Sequence, residues 1–262
     1  MAKDIDSLRK EAEQGDAESQ FALGCRYSEG EEVLKDDSKA LEWYTKAAAQ
    51  GHVKAQYNLG MAYFNGNGIP QDYEKAFEWF DKAAEQNNPS AQYALGNCYY
   101  FGLGIIQDNE KAFEWYKKAA EQEDSAAQYA LGGCYYIGNG TLQDYVKAFE
   151  CYKKSAEQGD SDAQFALGGC YLLGKGTLQD YVKAFECYKK SAEQGNYKAL
   201  NLLGHCYRQG KGVSQDLDQA IYWFTKAAEQ GYPDAQEMIE CCKDIKRGYQ
   251  AIDNLGKVLG GV

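Results

Sequence analysis

HVKAQYNLGMAYFNGNGIPQDYEKAFEWFDKAAEQN, residues 52–87, carries the pattern that decides the fold. Ala55, Leu59 and Tyr63 recur at i, i+4 and i+8, which places them on one face of an α-helix. Gly66-Asn67-Gly68 breaks that helix, and a second apolar stripe follows in Ala76, Phe80, Ala83 and Ala84, with Glu74, Lys75, Glu78 and Lys82 on the other faces. Two antiparallel helices result. The same text returns along the chain: Leu-Gly stands at Leu23-Gly24, Leu59-Gly60, Leu95-Gly96, Leu131-Gly132, Leu167-Gly168 and Leu203-Gly204, a constant step of 36 residues. A fixed period of this length marks a repeat array, in which each unit buries its apolar face by stacking on its neighbours.

The punctuation is chemical. Asp72, Asp108, Asp144, Asp180 and Asp216 sit where each second helix starts and predict N-caps. Gly15, Gly51, Gly159, Gly195 and Gly231 fall where second helices end. Asp16, His52, Asn88, Asp124, Asp160 and Asn196 then cap the next first helix, and Pro89 and Pro233 fit a first helical turn. The Gly-x-Gly pairs follow helices, not strands, and no Lys-Ser/Thr trails them, so they read as turns and not as phosphate loops. The expected organisation is an N-terminal capping helix over 1–15, six repeats (16–51, 52–87, 88–123, 124–159, 160–195, 196–231) and a C-terminal capping helix and tail over 232–262. In that last segment Met238-Ile239 replaces Leu-Gly. From Asp244 onward Ile245, Tyr249, Ile252 and Leu255 keep near-helical spacing, interrupted by Gly248, Gly256 and Gly260.

Composition narrows the function classes. The 262 residues carry a formal charge of −11, which repels a phosphate backbone and argues against nucleic acid or an anionic membrane as partner. Neither a secretory leader nor an apolar run of about 18 residues is visible, so the expectation is a soluble, cytoplasmic protein. Nine cysteines, an odd number, fit reduced thiols in that compartment. Cys98, Cys134, Cys170, Cys206 and Cys242 share one register, and Cys151 and Cys187 occupy the slot of Trp43, Trp79, Trp115 and Trp223. Packed helices lie about 8–10 Å apart, beyond the roughly 7 Å Cα limit of a disulfide, which disfavours a ladder of bridges; an intra-repeat pair such as Cys134 with Cys151 stays open.

The pattern A-x3-LG-x2-Y-x2-G-x-G followed by D-x2-KA-x2-WY-x-KAA is matched by Ala55, Leu59, Gly60, Tyr63, Gly66, Gly68, Asp72, Lys75, Ala76, Trp79, Phe80, Lys82, Ala83 and Ala84. It resembles the Sel1-like repeat family, relatives of the tetratricopeptide repeats, over residues 4–243. The resemblance implies an all-α, right-handed superhelical solenoid with first helices lining its concave side, and an adaptor role in protein complexes. Cysteine-rich bacterial members are implied to be secreted and to bind or hydrolyse β-lactams, but their paired cysteines are replaced here by Ala83, Ala84 and Ala91. The first repeat departs too: Gly30 is kept but Glu32 replaces the second glycine, so a looser turn is expected there.

Repeats four and five are nearly identical: residues 138–159 and 174–195 differ at one position, Asn139 against Lys175. A unique active site does not belong in duplicated text. The differences between repeats fall on first helices, at the positions that would face the groove: Tyr57 and Phe64; Tyr93, Asn97, Tyr100 and Phe101; Tyr129, Gly133 and Tyr136; Phe165, Gly169 and Leu172. Aromatic rings around small Asn97, Gly133 and Gly169 form a plausible trough for an apolar side chain of a peptide, although rings at this spacing serve equally as helix packing. Repeat six turns polar at the same register, with Asn201, His205, Arg208 and Gln209, suited to a carboxylate or a backbone carbonyl. The only histidines, His52 and His205, stand in no catalytic motif, and Cys241-Cys242 lack further metal ligands. The expectation is therefore a non-enzymatic scaffold without cofactor or metal, a monomer or weak homo-oligomer that takes a protein or peptide partner. The alternatives are a β-lactam-binding or hydrolysing enzyme and a structural homo-oligomer joined through the tail.

Overall fold

A computed structural model describes the backbone of residues 4–259 and side chains through 254. The described residues fold into helices and turns, with no strand. Two compact units divide the chain, Met1–Gln143 and Asp144–Val262. The first holds α1 (Ile5–Glu13), α2 (Ala17–Glu29), α3 (Asp37–Ala49), α4 (Val53–Asn65), α5 (Tyr73–Glu85), α6 (Pro89–Phe101), α7 (Asn109–Glu121) and α8 (Ser125–Ile137). The second holds α9 (Tyr145–Glu157), α10 (Ser161–Leu173), α11 (Tyr181–Glu193), α12 (Tyr197–Gln209), α13 (Leu217–Glu229) and α14 (Ala235–Leu259). Within each unit every helix packs on the next in sequence, which makes the fold an all-α repeat solenoid.

Each boundary is fixed by local chemistry. Asp72 Oδ1 accepts from the Lys75 amide at 3.0 Å at the start of α5, and His52 Nδ1 accepts from the Ala55 amide at 3.1 Å at the start of α4. Helix α4 ends on Gly66 in the left-handed region, φ 77°. Gln71 Nε2 donates to the Phe64 carbonyl at 2.7 Å, so the turn covers one of the helix's last carbonyls with a side chain. Gly68 has φ 71°, and a Cβ there would lie 2.6 Å from the carbonyl oxygen of Asp37, the first residue of α3; the turn rests directly on the preceding repeat's backbone. Gly60 serves a second close approach: a Cβ would sit 2.6 Å from the Phe80 ring, so α4 and α5 meet through that gap.

The expected looser turn in the first repeat is corrected. Glu32 itself adopts φ 60°, and the Asp36 amide still donates to the Tyr27 carbonyl at 2.9 Å, as the Asp72 amide does to Tyr63. Pro233 also differs from expectation, lying in the turn ahead of α14 and not in its first helical turn. Ile239 and Cys242 bury against Leu217, Ala220 and Phe224, and α14 then runs on as one helix through Leu259. Residues 260–262 and the Leu255 side chain lie outside the described part.

The core is bound by a polar device as well as by apolar contact. Buried Gln56 and Gln92 accept from Gln86 and Gln122 Nε2 at 2.7 and 2.8 Å and donate to the Ala48 and Ala84 carbonyls at 3.4 and 3.2 Å. One side chain thus ties a first helix to the second helices before and after it. In the second unit Gln164 does the same with Gln194 and Ala156, whereas repeat six has buried Leu200 in that slot.

Candidate functional site

Helices α4, α6 and α8 carry the groove candidates of the first unit. Tyr57 and Phe64 are half-buried, with rings 5.9 and 6.2 Å from Phe80, and Phe64 meets Tyr73 edge-on at 5.3 Å. Tyr93 and Tyr100 lean on Tyr116 in the same manner at 5.9 and 6.4 Å, and Tyr116 donates its hydroxyl to Asn97 Oδ1 at 2.7 Å. Phe101 stands 64% exposed against Tyr100, so α6 shows apolar surface to solvent and does not seal it within the core. Tyr129, Gly133 and Tyr136 occupy the corresponding half-buried positions of α8. Tyr57, Phe64, Tyr93 and Tyr100 thus each pack on their own second helix along one side and stay half-exposed.

In the second unit Phe165 packs on Tyr188 at 5.8 Å, and Leu172 is half-buried. A Cβ built on Gly169 would find only the Tyr188 hydroxyl at 3.9 Å, which makes this glycine a gap in the surface and not a packing requirement. Phe165, Tyr197, Leu202 and Tyr232 border a shallow hollow of about 430 Å³. His205 stacks edge-on over Phe224 at 5.0 Å, and Arg208 reaches back to His205 Nδ1 at 3.4 Å and to Cys241 Sγ at 3.8 Å. Burial, with the charges of Arg208 and Lys211, lowers the His205 pKa and favours the neutral ring. Asn201 differs from its expected place at a groove-facing position: only 6% of it is exposed.

Five of the thiols are poor nucleophiles. Burial pushes Cys98 up to about 12, and Cys151, Cys170, Cys187 and Cys206 up to about 11. Among the described residues no group of three or more His, Cys, Asp or Glu gathers as a metal site, and no helix is long and apolar enough to cross a membrane.

One feature escaped the sequence reading. Leu34, Ile106, Leu142 and Leu178, all at one slot of the inter-helix turn, are 86–91% exposed. The signal was present as an apolar residue four positions after the helix-ending glycines Gly30, Gly102, Gly138 and Gly174.

Capped helix pairs stacked at a constant step, with an aromatic face on the first helices, define a tetratricopeptide-like repeat protein, a fold typical of protein-interaction scaffolds. The Sel1 repeat model matches residues 17–52, 53–88, 89–124, 125–160, 161–196 and 198–232, and the chain belongs to the Sel1 repeat family. Among solved structures it is similar to c5321, a protective antigen of uropathogenic Escherichia coli with an SLR fold, at 39% identity and TM-score 0.84 over 91% of this chain. The chain spans about half, 51%, of that protein's length. It is also similar to a Sel1 repeat protein of Oxalobacter formigenes, at 38% identity and TM-score 0.77, covering 82% of this chain and 89% of the other. No curated protein matches the chain.

Proposed function

We propose that the chain is a non-enzymatic scaffold that holds a peptide or protein segment against the face formed by its first helices. The observation that carries this reading is the α6 surface, where Tyr93 and Tyr100 are half-open beside exposed Phe101. Large rings with few rotatable bonds give contact area at low entropic cost, and Gly169 leaves a small gap beside such rings. Raised thiol pKa values speak against a covalent β-lactam enzyme, since a thiol at about 12 is almost wholly protonated at neutral pH. Reduced thiols and the acidic charge fit a cytoplasmic protein without nucleic-acid partners.

The test compares retention of partners from a lysate by wild type and by Tyr93→Ala/Tyr129→Ala, with far-UV circular dichroism matched between them. A protein held by wild type and released by the variant supports the reading, and equal retention by both overturns it. A second reading, self-association through α14, is favoured by Tyr249 and Ile252, which stand 54% and 71% exposed. Truncation at Asp244 should then lower the mass measured in solution, and an unchanged mass removes that reading.

A further inference from the structure

Helix α12 departs from every earlier first helix in one respect. The face that carries Tyr93, Asn97 and Tyr100 on α6, and Phe165, Gly169 and Leu172 on α10, carries Asn201, His205 and Arg208 on α12. The buried Oδ1 of Asn201 and the buried Nε of Arg208 have no hydrogen-bond partner. Each such orphan costs about 1–3 kcal/mol and calls for an explanation.

The arginine is set apart by its company. Arg9, Arg26 and Arg247 pair with Asp6, Glu31 and Asp244, whereas Arg208, among the described residues, meets only the His205 ring and the Cys241 sulfur. Leaving a half-buried guanidinium without an anion is unexpected in a chain with 39 acidic and 28 basic residues, where carboxylates are abundant. Lys211 adds a second positive charge near His205.

We propose that Arg208, with His205 beside it, receives a carboxylate of a peptide ligand. The guanidinium supplies the charge and the planar donors, and the carboxylate replaces the weak contact with Cys241. The Asn201 oxygen, one helical turn before His205, is enclosed by the protein and takes no part in receiving the ligand. Phe224 forms the apolar floor beneath His205. One guanidinium and a neutral imidazole match a monoanion better than a phosphate dianion. The proposal rests on the first-helix face being the binding face, and it says what chemistry the ligand brings to repeat six.

The test needs no natural partner. The chain has two histidines, so the His205 ring resonances are assigned in NMR spectra by comparison with His52→Gln. Titration uses N-acetyl-leucine (an α-carboxylate), N-acetyl-glutamic acid α-amide (a side-chain carboxylate) and N-acetyl-leucinamide (neither). Saturable movement of the His205 signals by a carboxylate probe and not by the amide is expected, and the tighter of the two acids names the source. Arg208→Gln, checked for helicity, should weaken that binding about tenfold or more. No saturable movement with either acid, equal movement with the amide, or undiminished binding by a folded Arg208→Gln overturns the proposal. If Arg208→Gln does not fold, the acid-against-amide comparison on wild type decides alone. Failure here leaves the Tyr93/Tyr129 retention test standing, because that test reads a different unit of the chain.

Discussion

Alanine at Gly66 and at Gly68 separates two costs that a sequence motif presents as one. Both glycines have positive φ, 77° and 71°, so either substitution incurs the left-handed penalty of about 1 kcal/mol for a residue with a Cβ. At Gly66 the added carbon meets Gln71 N and Ile69 O at 3.4 Å, ordinary contact, and the cost ends there. At Gly68 it falls 2.6 Å from the Asp37 carbonyl oxygen, 2.7 Å from its carbon and 2.9 Å from Ser38 N. Those atoms belong to the first turn of α3, held in place by the Asp36 cap on the Lys39 amide at 3.0 Å, so relief requires two repeats to move apart. Overpacking of this kind adds about 1–3 kcal/mol, giving a total near 3 kcal/mol for Gly68→Ala against about 1 for Gly66→Ala. Urea unfolding of both variants, followed by far-UV circular dichroism, reads the difference. Equal losses would refute the claim that the second glycine is a contact between repeats and reduce it to a turn residue.

Gly169→Ala should stabilise the second unit by roughly 1 kcal/mol, because helix propensity improves and no atom lies closer than 3.9 Å; a loss of stability in thermal unfolding would show that the gap is a packing requirement. The capping carboxylates Asp36, Asp72, Asp108, Asp144 and Asp180 are held below the usual carboxylate range, chiefly by backbone amides. A group whose folded pKa is depressed stabilises above its unfolded value, about 3.9, and that contribution is lost as pH falls through the folded value. Acid unfolding should therefore steepen below about pH 4, and Asp→Asn at all five caps should flatten that slope while keeping the helices. Cys98 should resist iodoacetamide in the native protein at pH 8 and react on denaturation, as mass spectrometry of the labelled peptide will show; rapid native labelling would contradict its burial.

The helix pairs were legible because their signals are local. A cap, a left-handed glycine and an apolar stripe each act within one or two turns, and the period repeats them until chance is excluded. Gln56 and Gln92 were not legible, since a polar residue at a helix start reads as solvated until the carbonyl eight residues earlier is seen beside it. Asn201 shares its register with the groove candidates, and register does not tell that packing encloses it. The groove candidates were located by register alone. What register could not supply was how each ring divides between its own second helix and solvent, which depends on the angle at which two helices meet. In α14, Gly248 did not end the helix, because one glycine costs about 1 kcal/mol and the helical residues around it outweigh that.

The fixed sequence separation of the contacts between repeats has a consequence for how such a chain can change length. Gln86 reaches back 30 residues to Gln56, Gln122 reaches 30 to Gln92, and Gly68 rests on Asp37, 31 residues earlier. Excising or copying 36 consecutive residues within the repeat array leaves the surviving partners at their proper distance along the chain, so these bonds can re-form wherever the equivalent position holds the same residue. Segments 138–159 and 174–195, alike at all but one position, offer matched text for such an exchange. Length in this protein is thus a quantity that changes in whole steps, each adding one more first-helix face without disturbing those already present.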